Sequence, residues 1–300
     1  MLETKVCGIR LENPTILASG ILGNMGSSLK KVARGGAGAV VTKSIGKDER
    51  KGYKNPTVIR IEQGYLNAIG LANQGINEFE EEVAIAKEGG VPVIGSVFGF
   101  SVRDFVSVAK KMDEYGVDAL ELNLSCPNVG KAGSFFSSTE ELTYDVVKAV
   151  KDNTGVPVIA KLTANTGDIV SIAKACERAG CDAVTAINTL KAMKIDLKTG
   201  VPILGNTLGG MSGPCIKPVG VACVYEIVKE TSLPVIGCGG VATGDDAVEY
   251  LMAGAKAVQI GVGVADRGIN VFRKVAREIE DFMNEHGYNN LKDLIGVAQR

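Results

Sequence analysis

The stretch Val156-Pro157-Val158-Ile159-Ala160-Lys161-Leu162 is short, rich in β-branched residues and almost wholly apolar, with a proline at its entry. The same entry recurs at Val91-Pro92-Val93-Ile94, Val201-Pro202-Ile203-Leu204 and Leu233-Pro234-Val235-Ile236. A run of this length without polar alternation suits a strand covered on both faces, the habit of parallel sheets. Proline is tolerated at a strand's first residue. The copy at 201–204 leads into Gly205-Asn206 and reads as part of a loop insertion.

Outward from that stretch, eight such runs emerge, at 15–18, 39–42, 92–97, 119–124, 157–162, 183–187, 234–237 and 257–260. Helix-length amphipathic segments separate them. Ser101-Val-Arg-Asp104 and Thr243-Gly-Asp-Asp246 carry capping-box-like helix starts. Ala179-Gly180 and Ala253-Gly254 close helices just before the next strand. Alternating β and α units predict an α/β fold, a (β/α)8 TIM barrel in which residues 1–300 form a single domain. A doubly wound open sheet is the runner-up, but it calls for fewer strands and a glycine-rich loop after the first, which is missing. Residues 2–12 read as a hairpin capping the barrel bottom. Residues 45–66 and 190–217 read as long insertions after strands 2 and 6, on the catalytic face.

Bulk composition narrows the function classes. The 300 residues are 45% hydrophobic and 22% charged, with a formal net charge of -1. Bulk electrostatics therefore recruit neither nucleic acid nor an anionic membrane. Met1-Leu-Glu-Thr-Lys-Val-Cys7 is too polar for a signal peptide, and no apolar run approaches a membrane span, so a cytoplasmic protein is expected. The seven cysteines are scattered without a Cys-x-x-Cys pair, and His286 is the only histidine. No metal site is expected within the chain, and the thiols read as reduced.

In such a barrel the reactive groups come from the carboxyl ends of the strands. In order these are Ser19-Gly20, Lys43-Ser44, Ser96, Asn123 running into Ser125-Cys126-Pro127-Asn128, Lys161, Asn188-Thr189, Gly239-Gly240 and Gly261. The glycines after strands 7 and 8 can serve plain tight turns. They also bare backbone N–H groups at the usual phosphate position of this fold. A lysine at the inner end of a barrel strand is costly without an anionic partner. Lys43 and Lys161 could each be a salt-bridged structural lysine or a Schiff-base lysine. Together with a phosphate turn they suit an anionic cofactor, and a cation beside a flavin N1/O2 edge would stabilise the reduced ring. Cys126 could be a small buried hydrophobe, the commoner fate of a lone cysteine. Pro127 stiffens its loop, however, and Asn123 and Asn128 flank it with amides able to hold a planar, amide-rich substrate. Cys176 and Cys181 read as structural, and Cys238 as a residue of the phosphate turn whose backbone matters more than its sulfur.

Several motifs carry a resemblance. They are Leu17-Ala-Ser-Gly20, Val41-Thr-Lys-Ser44, Asn67-Ala-Ile-Gly-Leu71, Asn123-Leu-Ser-Cys-Pro-Asn-Val129, Lys161-Leu, Ile187-Asn-Thr189, Ile195-Asp-Leu-Lys-Thr199, Gly209-Gly-Met-Ser-Gly-Pro214 with Lys217-Pro218, and Gly237-Cys-Gly-Gly-Val241. With them the sequence resembles the class 1 dihydroorotate dehydrogenases over essentially the whole chain, most of all their two-subunit, NAD-linked subclass. The resemblance implies FMN bound by Ser19, Lys43, Ser44, Ser96, Asn123, Lys161, Ile187, Gly213, Gly239, Gly240, Gly261 and Val262. It implies a pyrimidine held by Lys43, Asn67, Ala68, Ile69, Gly70, Leu71, Asn123, Asn128, Asn188 and Thr189. Cys126 would be the base that takes a proton from C5 of dihydroorotate while hydride leaves C6, giving orotate. The family usually has Asn where this chain has Ser96, which can still donate a hydrogen bond. It usually has Thr where this chain has Val262, which offers only its backbone N–H. The chain has no cluster motif and no dinucleotide fingerprint. The resemblance therefore implies an electron-transfer subunit carrying FAD and a 2Fe–2S cluster, in a heterotetramer built on a homodimer core.

Two other readings are weighed. A dihydropyrimidine (dihydrouracil-type) dehydrogenase domain would share the barrel and the loop cysteine, but tends to have His in place of Asn128. A lysine-dependent aldolase or phosphosugar isomerase would use Lys161 or Lys43 without flavin. A non-catalytic phosphate-binding barrel leaves Cys126 and the two mouth lysines without a role.

Overall fold

A computed structural model describes residues 1–125 and 136–300. The chain opens with an antiparallel hairpin of β1 (Thr4–Val6) and β2 (Ile9–Leu11). Next come β3 (Thr15–Leu17) and β4 (Ala39–Val41), then an interruption holding β5 (Val58–Ile61) and β6 (Gly64–Asn67). The series resumes with β7 (Val93–Val97), β8 (Ala119–Asn123), β9 (Val158–Leu162) and β10 (Ala183–Ala186). A second interruption holds β11 (Leu190–Ala192) and β12 (Gly209–Ser212), before β13 (Val235–Cys238) and β14 (Ala257–Ile260). Strands β3, β4, β7, β8, β9, β10, β13 and β14 form a closed barrel in that order, with β14 parallel to β3. All eight expected runs are thus barrel strands. The run at 201–204 is not, and makes only the bridge from Pro202 to Ile195.

Alternation along each strand divides the core in two. Outward residues such as Leu120, Leu122, Val158, Ala160 and Val184 pack under the helices against Val108, Met112, Val146 and Ile172. Inward residues Ile16, Ala39, Val41, Ile94, Ala119, Ile159, Ala183, Ile236 and Ala257 form a second cluster inside the barrel. Val6 and Leu11 of the hairpin complete that cluster, so the hairpin seals the bottom, as expected.

The helix starts follow the reading of their first turns. Ser101 Oγ accepts from the Asp104 N–H at 3.1 Å. Thr243 and Asp246 form a reciprocal box at the head of the helix Gly244–Met252. The two insertions, read separately from sequence, are one structure. Strands β5, β6, β11 and β12 make an antiparallel sheet in the order β11-β12-β6-β5, issuing from the carboxyl ends of β4 and β10. Among the described residues no helix is long and apolar enough to cross a membrane.

Candidate active site

The strand ends on the mouth side are stitched by polar side chains. Ser19 Oγ donates to the Thr42 carbonyl at 2.8 Å and lies 3.2 Å from Ser44 Oγ. Ser44 Oγ is 2.9 Å from Ser96 Oγ and accepts from Asn123 Nδ2 at 3.2 Å. Asn188 Nδ2 reaches Asn123 Oδ1 at 3.3 Å and Ser125 Oγ at 3.1 Å, while Asn188 Oδ1 accepts from the Thr189 N–H at 2.8 Å. One chain of hydrogen bonds therefore joins Ser19, Ser44, Ser96, Asn123, Ser125 and Asn188 across the barrel. Ser96, fully buried within β7, is tied into it where the family would have an amide.

The two lysines separate. Lys43, just past β4, is 8% exposed and has no side-chain partner among the described residues. Burial holds its ammonium below the ordinary lysine range. Lys161 points into the barrel, where its Nζ donates to Gln259 Oε1 at 2.6 Å and lies 3.7 Å from Glu121 Oε1. Burial opposes its charge, but Cys238 and Glu121 outweigh burial and hold it above the ordinary range. Burial also raises the Cys238 thiol, which stays protonated near neutrality. The Glu121 carboxylate is thus the charge that counts. The reading of Cys238 as a backbone residue needs correcting. It ends β13 with the inward parity of Ile236, and its thiol faces Lys161.

The insertion sheet presents the segment 67–71. Asn67 ends β6 opposite Gly210 of β12, and its Nδ2 donates to the Gly210 carbonyl at 3.2 Å. Ala68 and Ile69 are anchored by backbone bonds, from the Ala68 N–H to Thr57 at 2.7 Å and from the Tyr53 N–H to Ile69 at 3.1 Å. Gly70 and Leu71 turn the chain at φ +75° and +58°. Asn73, which sequence reading missed, holds the turn: its Nδ2 donates to Leu71 O at 2.8 Å, and its Oδ1 accepts from Gly46 N–H at 3.2 Å and Gly75 N–H at 2.9 Å. Thr189 packs under the same sheet, since a Cβ on Gly210 would fall 2.1 Å from Thr189 Oγ1.

The glycine turns also come together. Gly239 and Gly240 follow β13 at φ +128° and +74°, a conformation that favours glycine. A Cβ on Gly240 would lie 2.7 Å from the Gly213 carbonyl, so the expected Gly213 and Gly240 sites adjoin. Tyr250 Oη, from the following helix, donates to the Gly239 carbonyl at 2.8 Å and fixes the turn. The turn after β14 is its neighbour, because Gly263 packs against the Val241 carbonyl. A Cβ on Gly261 would make ordinary contact with Ala18 and Ile21, and Val262 is the N-cap of the short helix Gly263–Arg267. Ile187, fully buried, links the Cys238 carbonyl to its own N–H at 2.7 Å.

Cys126 and Asn128 lie outside the described residues. Sequence reading also missed Glu121, Thr185 and Gln259. Glu121 Oε2 accepts from Thr185 Oγ1 at 3.0 Å and from Gln259 Nε2 at 2.5 Å. The signal was present: each is a polar residue at an inward position of an otherwise apolar barrel strand.

These residues fit an anionic, ring-shaped cofactor. A buried cation without a side-chain partner among the described residues, a second buried cation, an amide array and adjoining glycine turns suit such a group. The sequence profile of the dihydroorotate dehydrogenase family matches residues 1–283. The catalytic subunit of dihydroorotate dehydrogenase B (NAD(+)) from Thermoplasma acidophilum is 51% identical over 299 residues, covering 100% of this chain and 99% of that protein. Its namesakes from Methanothermobacter thermautotrophicus and Pyrococcus furiosus are 49% and 48% identical, each over 300 residues, and cover 99% and 100% of the chain and 98% and 99% of those proteins.

Proposed function

The chain belongs to the dihydroorotate dehydrogenase family, and from that premise we propose that it is an FMN-dependent catalytic subunit, acting in the cytoplasm, that oxidises dihydroorotate to orotate in pyrimidine synthesis. The observation that carries the reading is the buried Lys43 ammonium, which has no side-chain partner among the described residues; its chain neighbour Ser44 accepts from Asn123 in the amide network. A pyrimidine carboxylate supplies the charge that Lys43 lacks, and the amides of Asn67, Asn123 and Asn188 match the ring's donors and acceptors.

Bound FMN would supply the two-electron acceptor for the hydride that leaves C6. Its phosphate suits the Gly239-Gly240 and Gly261 turns, and Lys161 and Lys43 suit its electron-rich edge. Cys126 Sγ takes the proton from C5, with Asn128 as a further ring contact. The bond from Asn188 to Ser125 ties the end of the described β8 segment to the amide network. Residues 67–71 and Thr189 complete the substrate wall. Electrons leave through a separate electron-transfer subunit holding FAD and a 2Fe–2S cluster, which passes them to NAD. Two catalytic and two electron-transfer subunits make the assembly, around a dimer of this chain.

Anaerobic mixing tests the reading. Dihydroorotate should bleach the visible absorption of the bound flavin and yield orotate. Bleaching by dihydrouracil alone, or a protein that takes up no FMN, would sink it.

A further inference from the structure

The barrel interior holds a charge that neither the substrate nor the cofactor contacts explain. Glu121 sits in the middle of β8, between inward Ala119 below and Asn123 above, and is fully buried. A lone buried carboxylate is expensive, and three other strands answer with polar groups that reach it. Thr185 of β10 and Gln259 of β14 both donate to Oε2, while Lys161 of β9 stands 3.7 Å from Oε1. Glu121 Oε1 has no hydrogen-bond partner among the described residues, so the ammonium is the group facing its free oxygen. Gln259 bridges the pair, its Nε2 on Glu121 and its Oε1 accepting from Lys161 at 2.6 Å. A barrel that needed only to be filled would carry apolar layers here, as it does one layer lower.

We propose that Glu121 is a positioning residue of this active site: through Gln259 and direct attraction, its carboxylate keeps the Lys161 ammonium protonated and fixed at the floor of the cofactor site. This rests on the flavin reading above and adds a residue to it. The titratable groups facing Lys161 are Glu121 from β8 and Cys238 from β13; β10 and β14 contribute neutral Thr185 and Gln259. With the thiol protonated, Glu121 is the only anion among them. Without it, burial alone acts on Lys161 and drives the proton off at lower pH. A neutral Lys161 no longer stabilises the electron-rich reduced cofactor.

The test is the reduction potential of bound FMN in the native protein, Glu121→Gln and Glu121→Asp, followed from mildly acidic to mildly alkaline pH, with the FMN dissociation constant as a control. Glu121→Gln keeps the volume and removes the charge. At alkaline pH its preference for reduced over oxidised FMN should fall about tenfold, a midpoint lower by about 30 mV for a two-electron couple. The gap should close as the pH falls and Lys161 regains its proton. Glu121→Asp retains the charge and should follow the native profile. A flavin-loaded Glu121→Gln that tracks the native protein at every pH, or lies above it at every pH, overturns the proposal. Should Glu121→Gln not fold, Gln259→Met removes the bridge and leaves the carboxylate. A smaller step of the same sign is then expected, and its absence is equally fatal. If the native protein takes up no flavin, the flavin reading alone falls. The Lys161 amine resonance of the apoprotein, followed by nitrogen NMR, then tests Glu121 directly. It should titrate at lower pH in Glu121→Gln, and an unmoved titration overturns the proposal.

Discussion

Lys43 and Lys161 are the same side chain in opposite electrostatic settings. Lys161 carries its counter-charge within the fold, whereas Lys43 is left for a ligand to satisfy. Lys43→Met should therefore weaken dihydroorotate binding about tenfold to a hundredfold, the worth of one charge-assisted hydrogen bond. Titration of the flavin spectrum with orotate measures it, and unchanged affinity would move the carboxylate elsewhere. The pH dependence has a definite sign. Burial lowers the folded-state value of Lys43, so substrate anion binding is complete below that value and is lost as pH rises through it, earlier than for an exposed lysine. At Cys126, replacement by Ala should leave FMN bound but slow its reduction by dihydroorotate at least about a hundredfold. Stopped-flow bleaching at the native rate would remove Cys126 as the base. Sequence reading put both lysines near the carboxyl ends of barrel strands but left open which one was paired. The partner, Glu121, lies forty residues away in the chain and meets Lys161 because β8 and β9 are neighbours, with the two residues diagonal across the pair.

At the level of elements, the eight strands were legible because a strand covered on both faces must be apolar, and little else in a soluble chain is. The insertion sheet was not legible. Its strand β11 (Leu-Lys-Ala) is short, β12 (Gly-Gly-Met-Ser) is short and glycine-rich, and the pairing of β12 with β6 joins residues more than a hundred positions apart. That pairing explains why glycines stand at 209 and 210: the backbone of β12 must pass against Asn67 on one side and Thr189 on the other. Gly210→Ala would drive a methyl into Thr189 and shift two expected substrate contacts at once. The expected result is a loss in kcat/KM for dihydroorotate of up to about a hundredfold, the scale of a misplacement near one ångström. FMN affinity should fall much less, because of the expected cofactor glycines only Gly213 follows β12, while the turns after β13 and β14 lie on other strands. Loss of flavin in this variant would mean that the sheet also supports the cofactor.

Across the whole molecule, stability and chemistry occupy opposite ends of one barrel. The mouth gathers a lysine without a side-chain partner among the described residues, hydrogen-bonded amides and glycine turns, in place of apolar packing. The bottom compensates with an apolar plug in which Val6 and Leu11 of the hairpin close over the inward residues Ile16, Ala39, Val41 and Ile236. The hairpin pattern was readable from Val6 and Leu11 alternating with Lys5 and Arg10. Leu11 is only 2% exposed, and removing its side chain leaves a void between the hairpin and the closed ring of strands, which cannot collapse to fill it. Leu11→Ala should therefore cost about 2–5 kcal/mol of stability, read as a lower denaturant midpoint at unchanged slope. The flavin-reduction rate per folded molecule should stay native, because the polar middle layer around Glu121 and Lys161 separates this plug from the reacting groups. A variant that kept its stability but lost its rate would show that the bottom of the barrel sets the geometry of the mouth.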